Sequence, residues 1–223
     1  MSACLMLHGL GDPPPHVGEE ERPYWISEMM FTTILDLVKT TPGRLTIDDG
    51  NASDIAIALP ALARARLTAT FFIPSDRIGT AQYVGEADIR ALHSAGMEIG
   101  SHGCAHVRWT DVCDAEIARD VTRSMERLSA IIGEPVRSVA IPFGHCNRRV
   151  LNVLRCLGVG RVYSSFRGPE LKDAWLVRRD CIMGDMTLAD VNALLTAEQT
   201  TAGATLTFLR IWRHAGRAAV LKA

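Results

Sequence analysis

The chain has 223 residues, 24 Lys+Arg against 25 Asp+Glu, and 48% hydrophobic residues. A net charge of −1 supplies no basic field for nucleic acid or an anionic membrane surface, and the apolar content excludes a disordered chain. At roughly 100–200 residues per domain, the length predicts one domain over residues 1–223.

The first apolar run, Ala3–His8, reads as a buried strand; it has no basic flank and no small-residue cleavage site, so it does not read as a secretory signal. The stretch from Gly9 to Pro23, with Pro13-Pro14-Pro15 and Glu19-Glu20-Glu21, reads as a surface loop. Short apolar runs and 3.6-residue patterns then alternate. They predict a helix over Ser27–Lys39, a strand over Arg44–Asp48, and a helix over Ile55–Arg66 capped by Ser53 or Asp54. A strand at Thr68–Ile73 follows, then a helix at Glu86–Ser94 ended by Gly96, a strand at Met97–Ser101, and a long helix at Asp114–Ile132 stopped by Gly133 and Pro135. Beyond it come a strand at Ser138–Ile141, a helix at Arg148–Leu157 capped by Asn147, strands at Arg161–Ser164 and Trp175–Ile182, and a helix at Leu188–Leu195. The segment 205–223, with Leu206, Phe208, Ile211 and Trp212 beside Arg210, Arg213 and Arg217, reads as a basic amphipathic helix packed on the domain or a partner.

Strands separated by helices of this length pair in parallel through right-handed crossovers, which makes the fold class α/β. About seven strands fit either a barrel or an open doubly wound sheet, and periodicity does not choose between them. No run reaches the ~18 apolar residues of a membrane span. Six cysteines without a CxxC pair, together with the signal-free start, predict reduced thiols in the cytoplasm.

Three polar clusters fall at predicted strand ends, where α/β proteins build sites. Leu45-Thr46-Ile47-Asp48-Asp49-Gly50 ends an apolar strand in two adjacent carboxylates. Neighbouring strand residues point to opposite faces, so both acids serve one site only if the chain turns at once, as Gly50 permits. One acid could then hold a cation while the other handles a proton. Gly100-Ser101-His102-Gly103-Cys104-Ala105-His106 carries two histidines at i and i+4, and a helix starting at His102 would set both on one face. Cys104, between them, would point away. Ala140-Ile141-Pro142-Phe143-Gly144-His145-Cys146-Asn147 ends a third strand in a turn whose backbone N–H groups could serve an oxyanion. One carboxylate and two histidines, with positions left for water and substrate, form a catalytic metal site of the kind used in water attack on an ester or amide. The same triad suits an iron oxygenase.

In this order the clusters resemble the polysaccharide deacetylases of carbohydrate esterase family four. The family's T-F-D-D-G motif is met by Thr46-Ile47-Asp48-Asp49-Gly50, and its H-S/T-x-x-H motif by His102-Gly103-Cys104-Ala105-His106 with glycine at the usual hydroxyl position. The resemblance implies a deformed (β/α) barrel. It implies Asp48 as the general base, Asp49, His102 and His106 as metal ligands, and the Phe143 backbone N–H, after Pro142, as an oxyanion donor. It also implies Zn²⁺, with Co²⁺ or Ni²⁺ fitting the same donors, and removal of acetyl from an N-acetylated sugar.

Two family features are missing. The arginine that usually opens the third motif, and orients the base, is Ala140 here. Arg178, in Leu176-Val177-Arg178-Arg179-Asp180, is the expected substitute. The L-x-H strand that supplies the general acid has no counterpart, so His145 is expected to act in its place and His8 to line the pocket. A cytoplasmic compartment implies a nucleotide- or lipid-linked sugar, such as a lipopolysaccharide precursor. The alternatives are a catalytically degenerate carbohydrate-binding protein and a hydrolase of a non-sugar amide.

Overall fold

The computed structural model describes residues 3–41, 43–165 and 174–196; the expected amphipathic helix at 205–223 lies outside them. In chain order the main elements are β1 (Ala3–Leu7), α1 (Glu28–Thr40), β2 (Gly43–Asp48), α2 (Leu59–Ala65), β3 (Thr70–Ile73), α3 (Glu86–Ser94), β4 (Glu98–Ser101), α4 (Asp114–Ile132), β5 (Ser138–Ala140), α5 (Arg148–Cys156), β6 (Arg161–Ser164), β7 (Leu176–Arg178), β8 (Asp180–Cys181) and α6 (Leu188–Thr196). Among the described residues no helix is long and apolar enough to cross a membrane.

All the strands are parallel, in the order β7-β6-β5-β4-β3-β2-β1-β8. The two ends of that order are consecutive in the chain, with only Arg179 between β7 and β8. A single extended segment therefore pairs first with β6 and then with β1, and brings the sheet round into a nearly closed barrel. The expectation of about seven strands becomes eight because this seventh candidate serves both edges.

Strand alternation sorts the side chains into two compartments. Leu5, Leu7, Leu45, Ile47, Phe71, Ile73 and Ile99 face outward into a core shared with the surrounding helices, and Val139, Ile141 and Val162 do the same beneath α4 and α5. The opposite positions, Cys4, Phe72, Ala140, Tyr163 and Val177, fill the barrel interior. Helix α4 buries Ile117, Val121, Leu128 and Ile131 at helical spacing and stops at Gly133, whose φ of 78° closes the last turn. Asn147 caps α5 as expected, its side chain accepting the Val150 N–H. The start of the second helix differs. Ser53 makes no cap bond; its hydroxyl accepts the Leu10 N–H, and a π-helical turn over Asp54–Ala58 leads into α2.

Candidate active site

Asp48 is the last residue of β2 and, like Thr46, points into the barrel. It is 1% exposed. Asp49 leaves the strand direction at once with φ 82°, followed by Gly50 at 66°, so the turn expected at Gly50 begins one residue earlier. Aspartate tolerates this left-handed conformation better than most side chains. The turn returns Asp49 to the barrel mouth beside Asp48.

The expected helix at His102 does not form. Residues 102–106 are loop, and His106 takes φ 53°. The two imidazoles still converge, with ring centroids 4.8 Å apart. His102 continues the inward parity of β4, and its Nδ1 lies 3.0 Å from the Ala140 carbonyl. A carbonyl only accepts, so Nδ1 carries the proton and the Nε2 lone pair is free. That atom stands 3.7 Å from Asp48 Oδ2 and 3.9 Å from Asp49 Oδ1. His106 Nε2 is 3.3 Å from the same Asp49 oxygen. One ligand atom each from Asp49, His102 and His106 falls within 4.8 Å of the others. Two imidazole nitrogens and a carboxylate oxygen, with one histidine tautomer fixed by its outer hydrogen bond, suit a divalent transition metal. Cys104 stays apart, its thiol on the Asp120 carbonyl.

The partner of Asp48 is Arg179, not Arg178. Its Nη1 and Nη2 lie 2.6 and 2.8 Å from the two carboxylate oxygens, a bidentate pair. Nη1 also donates to Thr46 Oγ1 and Nε to the Ser164 carbonyl, while the guanidinium lies over the Phe72 and Tyr163 rings. The reason is parity. Val177 faces the interior, so Arg179 does too and Arg178 faces the other way. Arg179 is 0% exposed, and it sits at the residue where the barrel closes.

Burial alone would raise the pKa of Asp48, but the charge and hydrogen bonds of Arg179, helped by His102, outweigh it and hold the carboxyl below its ordinary range. Asp49 is likewise held low against burial by His8, His106, His102 and Arg77; Arg77 Nη1 is 3.3 Å from its Oδ1. Burial depresses His102. Burial and the His102 charge bring His106 down to about 3. The site at neutral pH is therefore two carboxylates facing two neutral imidazoles. Asp54, near enough to feel the charges of Asp49 and Asp48, is 0% exposed, and among the described residues neither of its oxygens has a hydrogen-bond partner. Burial and the charges of Asp49 and Asp48 push its pKa well up.

His8, at the end of β1, lines a cavity of about 30 Å³ with Asp49, Tyr24, Trp25 and Arg77. Its ring is 5.0 Å from Tyr24. Pro142 is buried, and Phe143 takes φ 57° in the turn after β5. The Phe143 ring, 47% exposed, packs 4.5 Å from His106 and under the Arg108 guanidinium. His145 follows on the same loop and is exposed. Among the described residues it has no hydrogen bond or ring contact to the carboxylate and histidine cluster. Arg179, Arg77 and Asp54 were not singled out for these positions by the sequence. For Arg179 the signal was present as an Arg-Arg pair, but nothing in its apolar strand marks which neighbour points inward.

A sequence profile of the polysaccharide deacetylase family matches residues 41–162. No curated relative matches the chain by sequence. Solved structures of similar fold include the Streptococcus pyogenes deacetylase PplD in complex with acetate (TM-score 0.77, 16% identity, 87% of this chain and 97% of that one). A polysaccharide deacetylase from Bacillus cereus, BC0361, has TM-score 0.77 and 17% identity over 87% of this chain and 68% of that one. IcaB from Ammonifex degensii has TM-score 0.71 and 19% identity over 88% and 98%. At these identities the likeness establishes the fold.

Proposed function

The chain belongs to the polysaccharide deacetylase family, and from that premise we propose that it is a metal-dependent hydrolase removing acetyl from the nitrogen of an N-acetylated sugar. The observation that carries this reading is the pairing of two differently held acids. Asp48 is clamped by Arg179, and Asp49 shares one small volume with His102 and His106. Zn²⁺ suits the three donors, as do Co²⁺ and Ni²⁺. A divalent ion held by Asp49, His102 and His106 would polarise the acetyl carbonyl and acidify water.

The remaining work falls to side chains and backbone of this chain. Asp48, ionised and fixed by two hydrogen bonds, accepts the proton of the attacking water. The Phe143 N–H, on the turn opposite, stabilises the oxyanion of the tetrahedral intermediate. Collapse of that intermediate requires a proton for the leaving amine. Of the histidines outside the ligand set, His8 shares the cavity with Asp49, which favours it over His145 for that delivery. Tyr24 and Trp25 on the same wall supply the apolar faces on which sugar rings stack. All six cysteines are described and none is joined in a disulfide, which supports a reducing compartment and a precursor substrate, nucleotide- or lipid-linked, for a surface glycan such as lipopolysaccharide.

Purified protein given such precursors and N-acetylated chitooligosaccharides is expected to release acetate and free amine in equal amounts, and Asp48→Asn to slow the release by about 10²-fold or more. Acetate release at a wild-type rate in Asp48→Asn would overturn the assignment of the base. His8→Gln is expected to slow turnover far more than His145→Gln; the reverse order would return the acid role to His145.

A further inference from the structure

The peptide groups between His102 and His106 belong to neither helix nor sheet, so their hydrogen bonds must come from elsewhere. The Gly103 N–H donates to Ser101 Oγ at 3.1 Å, which in turn bonds Ser124 on α4. The Gly103 and Cys104 carbonyls accept the Ser75 and Asp76 N–H groups, each at 3.0 Å. The Cys104 and Ala105 N–H groups both donate to a single atom, Asp120 Oδ1, at 3.0 and 3.3 Å. The other oxygen of Asp120 accepts Trp109 Nε1–H at 2.9 Å. Asp120 comes from α4, and among the described residues it makes no hydrogen bond to Asp49, His102 or His106.

Two backbone features show how closely the loop fits this carboxylate. Gly103 has φ 73°, and a Cβ there would overlap the Asp120 carboxylate. His106 has φ 53°, a conformation that costs a non-glycine residue free energy and persists only where its surroundings over-determine it. The peptides before it are held by Asp120 through their N–H groups and by the Ser75 and Asp76 N–H groups through their carbonyls. The glycine found where the family resemblance leads one to expect a hydroxyl residue is thus matched by a carboxylate reaching in from the neighbouring helix.

We propose that Asp120 is a positioning residue for the histidine pair: by gathering the Cys104 and Ala105 N–H groups it fixes the backbone from which His106 presents Nε2 beside Asp49. This rests on the reading of Asp49, His102 and His106 as a divalent-metal site. Alanine at this place removes both acceptor oxygens. The Cys104 and Ala105 N–H groups then lose the atom that gathers them, and the loop loses its anchor.

The test is a Co²⁺ titration of the full chain stripped of metal, followed by calorimetry and by the visible absorption of the bound ion. Wild type is expected to bind one Co²⁺. Asp120→Ala is expected to bind it about 10-fold or more weakly, the range for outer partners of metal ligands, with a changed absorption spectrum. Trp109→Phe removes only the Oδ2 donor and is expected to lower the melting temperature with Co²⁺ affinity close to wild type, which separates positioning from general stability. Gly103→Ala displaces the carboxylate without removing it and is expected to share the Asp120→Ala loss, so the role stays testable if the latter folds poorly. Wild-type affinity and spectrum in both Asp120→Ala and Gly103→Ala would overturn the role of Asp120 alone. A wild-type chain that binds no Co²⁺ would overturn the metal-site reading with it.

Discussion

The barrel treats its polar groups differently at its two ends. At the N-terminal end of the strands, Thr70 and Ser138 both donate to Glu98, a ladder across β3, β4 and β5 in which each group finds its partner on the neighbouring strand. A cavity of about 260 Å³ opens there, with Arg44, Thr46 and Tyr163 among its walls. At the C-terminal end, Asp48, Asp49, His102 and His106 converge from two strand ends and a loop, and their acceptor atoms face one another. Acceptors gathered in this way are costly unless charge or protons complete them. Arg179 completes Asp48, and a cation would complete the other three. The same side-chain chemistry thus stabilises strands at one end and makes a site at the other, according to whether the partners are already in the fold.

The largest expected effect comes from the acid at the crowded end. Asp48→Asn is expected to lower kcat by about 10²–10⁴-fold, the usual contribution of a positioned acid or base, measured as acetate release. Arg179→Met comes next. It leaves Asp48 buried without its counter-charge, and losing one partner of a buried pair costs about 3–5 kcal/mol, read from urea unfolding at pH 7. A third effect is pH-dependent. The folded-state pKa of Asp48 is lowered, so its stabilising contribution is present above the ordinary aspartate value of about 4 and is lost as pH falls below it. The unfolding free energy of wild type should therefore decline more steeply below pH 4 than that of Arg179→Met. The smallest effect belongs to the other end. Glu98→Gln is expected to change stability by about 1 kcal/mol or less and to leave kcat unchanged. A Glu98→Gln variant as inactive as Asp48→Asn would remove the distinction between the two ends.

The order of elements, most of their boundaries, and the convergence of Asp48, Asp49, His102 and His106 were legible in the sequence. The hydrophobic periods and the strand-end clusters are local patterns, written within a few residues of one another. The parts that escaped depend on distant pairing. Whether Arg178 or Arg179 meets Asp48 is settled by the parity of a strand that pairs with β6 and then β1, and its apolar neighbours carry no alternation to reveal it. The helix expected from the His102 and His106 spacing gives way to a loop because Ser75, Asp76 and Asp120, remote in sequence, supply its hydrogen bonds. Asp54 looked like a cap beside Ser53, yet it is fully buried within reach of the charges of Asp48 and Asp49.

The central claim is that Asp49, His102 and His106 hold the metal with which Asp48 hydrolyses an N-acetyl group. Its most direct test is acetate release from N-acetylated sugars by metal-stripped protein as Zn²⁺ is added back. Turnover is expected to rise from baseline and level off at one ion per chain, and Asp49→Ala or His106→Ala to remove that response. Turnover that is undiminished by stripping, or that rises equally in those variants, would contradict it.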